Sequence, residues 1–263
     1  MCAHIAWFKQ RFLLPLNLLF LMYTIFKKEL RYFFSNATGY IVIGLFLLAT
    51  SLLLWVIPGP YNILESGYAQ VDGLFMLAPW LFLFLCPSIT MRLFAEEKQN
   101  RTWDLLQTAP IKRWKIVLGK YLASWLLAII ALLPCCIYYF TVSYIAEPMG
   151  NIDSGAFWGS FIGLIFLVGI NTSVGTFASS LTHNQIVAFI LGLIICFLLF
   201  YGFDIVGSFF SKGEVVSAIE WCGFDAHYKS ISRGILDTRD IVYFLSVSAI
   251  FVLLTTKRIE KRL

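Results

Sequence analysis

Two adjacent carboxylates, Glu96 and Glu97, precede Arg101 in a polar stretch between two apolar runs. Paired carboxylates can activate a water for hydrolysis, given other titratable groups to share the proton work. The partners are poorly placed. The chain has three histidines, and four residues before His183 and His227 stand Ser179 and Gly223. The six cysteines contain no Cys-x-x-Cys pair, so neither a zinc site nor a disulfide framework is legible, and Cys135–Cys136 reads as small apolar packing. Gly119-Lys120 is the only Gly-Lys pair, and it lacks both the upstream glycine and the following Ser or Thr of a phosphate-cradling loop. The chain is not expected to hydrolyse ATP, and no catalytic, cofactor or metal residues are assigned.

The elements that carry these residues are apolar to an unusual degree. Of 263 residues, 59% are hydrophobic and only 13% charged, and mean hydropathy is +0.80. A soluble domain is about 45–50% apolar and about 25% charged. The apolar runs are continuous rather than alternating, which excludes a soluble enzyme and a transmembrane barrel. The sequence predicts an all-α polytopic membrane protein with six spans: Gly39 to Ile57, Gly73 to Met91, Tyr121 to Tyr139, Phe157 to Ala178, Ile186 to Phe203 and Ile241 to Thr256. Pro79 and Pro87 predict a kinked second span whose freed carbonyls find partners on its neighbours.

Charge sets the orientation. With the N-terminus inside, sixteen of the twenty Lys and Arg fall in cytoplasmic segments and ten of the fifteen acidic residues fall outside. This split predicts that both termini are cytoplasmic. The net charge of +5 is then a topology signal, and nucleic acid is not an expected partner. No charged residue lies in the core of a predicted span, which argues against a proton-coupled carrier.

Residues 1–21 read as an extension before a natural start at Met22, and 22–263 as one membrane domain. From Tyr23 to Phe34, Ile25, Phe26, Leu30 and Phe33 share one face of a helix while Lys27, Lys28 and Arg31 project elsewhere. This predicts an amphipathic helix in the membrane interface, with lipid as a partner. The fourth span carries a ladder, Gly155, Gly159 and Gly163, read as a helix-packing or dimer face. Between the fifth and sixth spans lies a long outer segment with Arg233, Gly234 and Asp237.

Glu96-Glu97-x-x-x-Arg101 is similar to the signature of CAAX-type intramembrane proteases, but the histidine motifs such enzymes need are missing. The same loop resembles the membrane subunits of type-2 ABC exporters more fully. Their first cytoplasmic loop runs acidic pair, Gly-Thr, Glu-x-Leu-Leu, Ser/Thr-x-Pro-Ile, Gly-Lys-Tyr. Glu96, Glu97, Thr102, Leu105, Leu106, Thr108, Pro110, Ile111, Gly119, Lys120 and Tyr121 match it. Arg101 departs from it, standing where glycine is usual. The resemblance implies that this loop couples to a separate ATPase subunit, which would hold ATP and Mg while this chain binds no cofactor. It also implies a second permease copy or an accessory membrane subunit, and short outer helices that dip back toward the membrane between spans five and six. Met22–Ser35 and the stretch from Ser232-Arg-Gly-Ile-Leu-Asp to Phe244 are similar to the gliding-motility-associated branch of Bacteroidetes-type bacteria. The expected location is the bacterial inner membrane. A non-transporting scaffold of a motility or envelope complex shares the composition and is the alternative.

Overall fold

The computed structural model describes residues 22–103, 106, 112–209, 213, 221, 223–232, 234 and 237–260; within them there is no strand. Helix α1 covers residues 22–35. It is followed by α2 (Ala37–Ser51), extended by a π turn to Val56, then α3 (Asp72–Thr90) and α4 (Arg92–Gln99). Helix α5 (Arg113–Leu132) continues through a 3-10 turn into α6 (Cys136–Ile145). Helices α7 (Ser154–Leu181), α8 (Gln185–Ser208), α9 (Phe224–Ile231) and α10 (Thr238–Glu260) complete the chain.

Six of the helical segments are long and apolar enough to cross a bilayer, among the described residues, and each contains the predicted span or most of it. The fourth is the hub: α7 packs against α3, α5, α8 and α10, and 78% of its apolar window is buried, against 22% for the first and fifth spans. Small residues make this possible, because Gly, Ser and Thr let neighbouring backbones close in. The hydroxyls of Thr172, Ser173 and Thr176 donate to carbonyls of their own helix, so their burial leaves no donor unsatisfied.

The second span runs unbroken through Pro79 and Pro87. A proline leaves the carbonyl four residues earlier without its amide donor. For Pro79 that carbonyl belongs to Phe75, and Tyr228 of α9 donates its hydroxyl to it at 2.7 Å. The neighbour expected from sequence is thus identified.

The same span does not stop at Met91. The helix pauses there and resumes as α4, because Ser179 of α7 bridges the gap. Its hydroxyl oxygen accepts from the amides of Phe94 and Ala95 at 3.1 and 3.2 Å and donates to the Met91 carbonyl at 2.9 Å. A side chain inserted into a helix ladder in this way preserves the hydrogen bonds while allowing a bend. Glu96 and Glu97, expected in the loop between two spans, therefore sit on a helix end and are partly buried. Helix α4 itself is short. It ends at Gln99, and Arg101 adopts φ 57°, with a short helical piece resuming at Thr102 and Trp103.

Candidate functional site: the charged hairpin

A buried lysine anchors the hairpin end of the molecule. Lys120, immediately before the predicted third span, is 1% exposed. Its ammonium contacts Glu29 Oε1 at 2.7 Å, Glu97 Oε1 at 2.9 Å and the Leu93 carbonyl at 2.7 Å. Lys28 Nζ meets the same Glu97 oxygen at 2.8 Å from the outer side. Two cations and two carboxylates from α1, α4 and α5 thus form one network. A lone buried ammonium would carry a desolvation cost of roughly several kcal/mol, so the two acids are what hold the Lys120 side chain in this position. Burial disfavours the Lys28 ammonium, but the hydrogen bond and charge of Glu97 outweigh it and hold Lys28 above its ordinary range. Glu97 Oε2 is buried with no hydrogen-bond partner among the described residues.

Each arm has a local reason for its place. Helix α1 buries Ile25, Glu29 and Phe33, which are spaced by four, and exposes Lys27, Lys28 and Arg31. Glu29 is not among the residues that the sequence singled out. The available signal was an acid on the apolar stripe of an otherwise basic helix. Gly119 makes room for this helix, since a Cβ there would stand 3.2 Å from the Met22 carbonyl. Tyr121 stacks on Trp125, whose indole N–H donates to the Ile165 carbonyl of α7 at 3.0 Å. The Gly-Lys-Tyr triplet thus docks α5 against both α1 and the hub region.

Beneath the turn lies a small apolar cluster of Ile25, Leu93, Phe94, Trp103, Ile116, Val117 and Ile259, separate from the main core. Trp103 meets Phe94 edge-on at 5.5 Å. Leu106 is partly buried against this cluster. Arg113 donates to the Ile259 carbonyl at 3.1 Å, and Lys98 to the Ser180 carbonyl, tying both arms to the ends of α10 and α7. Tyr32 donates its hydroxyl to Glu96, which together with burial holds the phenol above its usual pKa.

The predicted coupling residues therefore divide. Glu97 and Lys120 are structural partners inside the network, Glu96 bonds α1, and Leu106 packs inward. Thr102 is exposed beside exposed Gln99, Asn100 and Arg101. Leu105, Thr108, Pro110 and Ile111 lie outside the described residues, as do Arg233 and residues 1–21.

At the far end, the glycine ladder is used within the chain. A Cβ on Gly159 would stand 2.6 Å from the Gly234 carbonyl oxygen, and one on Gly163 would stand 2.2 Å from Ile231. Gly155 meets only its own cap, Asp153. Gly234 itself has φ +82°, and a Cβ on it would lie 2.5 Å from Ala156 Cα, so both conformation and space require glycine. Asp237 accepts from the Arg239 amide at 2.9 Å and caps α10. His227 bridges Asp240 at 2.7 Å and the Trp221 carbonyl at 3.0 Å. Among the described residues no group of His, Cys, Asp and Glu is arranged to hold a metal.

These features define a polytopic helical membrane protein with a charged hairpin between its second and third spans. Residues 61–223 match the ABC-2 family transporter proteins, and since this is more than half of the sequence, the chain belongs to that family. It is an ABC transporter membrane subunit of the permease type and not itself the ATPase. No curated protein matches the chain.

Proposed function

We propose that the chain is the permease of an ABC exporter, driven by a separate ATPase subunit that docks on the hairpin from the cytoplasm. The partner would bind ATP and Mg; this chain would convert its closure into motion of the spans. The observation that carries this reading is mechanical. The second span continues through the Ser179 bridge into α4, and α4 is tied by charge to α1 and α5, while Gln99 to Thr102 at its tip stay exposed. A push on that tip acts on three elements at once. The stretches around Met22–Ser35 and Ser232–Phe244 support a role in gliding motility, with both termini in the cytoplasm of a bacterial inner membrane. Helix α1 would lie in the interface and α9 would belong to a segment dipping back from the outer surface. A complete pore needs two such half-units, from a second copy or an accessory subunit.

The test is co-purification of tagged protein in mild detergent, scored for ATPase activity. The double variant Arg101→Glu, Thr102→Glu changes the exposed tip and leaves the buried network alone. An ATPase recovered with the parent and lost with a monodisperse variant is the expected result. A chain that purifies without ATPase activity in both forms would defeat the exporter reading and restore the scaffold.

A further inference from the structure

A cavity of about 200 Å³ opens beside the ion network, between α1, the α3–α4 junction and α5. Its walls are of two kinds. Phe33, Ile89, Leu93 and Leu127 are apolar, and the rest is polar, with charges of both signs among it. Within the network, Lys28 and Lys120 match Glu29 and Glu97. Two lining charges are left over, Arg92 and Glu96, one turn apart on α4. They form no ion pair with each other. Among the described residues each bonds a neutral hydroxyl instead: Arg92 donates to Thr38 at 2.8 Å, and Glu96 accepts from Tyr32. Arg92 also lies against the Tyr32 and Phe33 rings, which fixes its guanidinium at the cavity wall.

We infer that this cavity binds the phosphate-bridged primary amine of an aminophospholipid headgroup, with the phosphate on Arg92 and the ammonium on Glu96. A guanidinium is suited to phosphate, and a carboxylate to an ammonium that brings its own N–H donors. The apolar walls suit the glycerol and first acyl carbons, which a soluble amine phosphate lacks. A phosphocholine head offers no N–H to Glu96, and a phosphoglycerol head offers no cation. Only the leaflet in which this lipid sits rests on the proposed orientation; the binding chemistry does not.

Delipidated full-length protein, with whatever subunits accompany it, is titrated by native mass spectrometry with phosphatidylethanolamine, phosphatidylcholine and phosphatidylglycerol of identical acyl chains. One charge-assisted hydrogen bond sets the expected preference for phosphatidylethanolamine at about tenfold over either competitor. Glu96→Gln, which can still accept from Tyr32, removes the preference over phosphatidylcholine. Arg92→Gln weakens phosphatidylethanolamine and phosphatidylcholine alike. Equal retention of phosphatidylcholine or phosphatidylglycerol by the parent overturns the assignment, with no variant needed. Displacement of the lipid by soluble phosphoethanolamine at matched concentration overturns the lipid source. Loss of the ATPase from the preparation leaves this readout untouched, so the two proposals fail separately.

Discussion

The hairpin end of the molecule and its far end use different means to hold their elements together. At the hairpin end, elements far apart in sequence meet through charge: Glu29, Glu97 and Lys120 bring α1, α4 and α5 together. At the far end, α7 meets the segment around Ile231 to Gly234 through missing side chains, and Ser160 donates to the Ser232 carbonyl at 2.9 Å across the gap. Charge pairing tolerates small shifts of the helices and fails when one partner is removed. Backbone-to-backbone contact tolerates no added atom. The comparison teaches that the end proposed to receive the stroke is tied by long charged side chains, while the opposite end is tied by backbone contact.

The largest expected effect is at the charged end. Lys120→Met removes the buried one of the two cations that Glu29 and Glu97 share, leaving only the half-exposed Lys28, and should cost about 3–5 kcal/mol in unfolding measured in mild detergent. The triple change that also makes Glu29→Gln and Glu97→Gln should recover much of that loss. A single-variant cost below about 1 kcal/mol would mean that the network is solvated and does not clamp α1.

At the far end, Gly159→Ala forces a methyl against the Gly234 carbonyl and should cost about 1–3 kcal/mol. A neutral result there would show that the far end yields as readily as the hairpin end. Tyr228→Phe separates sterics from hydrogen bonding, because it only deprives the Phe75 carbonyl of its donor. About 1–2 kcal/mol is expected, read by the same unfolding assay.

The smallest effect has the opposite sign. Arg101 pays for a left-handed backbone at the α4 terminus, where the Asn100 and Arg101 amides bond back to Glu96 and Lys98. Arg101→Gly should stabilise by about 1 kcal/mol, because glycine reaches that conformation without a Cβ clash. A destabilised variant would show that the arginine side chain makes a compensating contact.

Composition and run length settled the fold class, the six spans and their approximate limits, because the bilayer allows few alternatives to a continuous apolar helix. The proline pair announced that a neighbour must supply a donor, without naming Tyr228. The acidic pair and Lys120 were visible as candidates, but their inward direction was not, since a charged residue near a span end can face water or a partner equally well. Only the tertiary structure decided that Ser179 carries α3 into α4, that Glu29 completes the network and that Gly159 and Gly163 receive residues some seventy positions away. The reason is physical: local spacing determines which face a residue occupies, whereas the partner of that face is fixed by how the helices cross. In this chain those crossings are set by the small residues of α7, which are silent about what they receive.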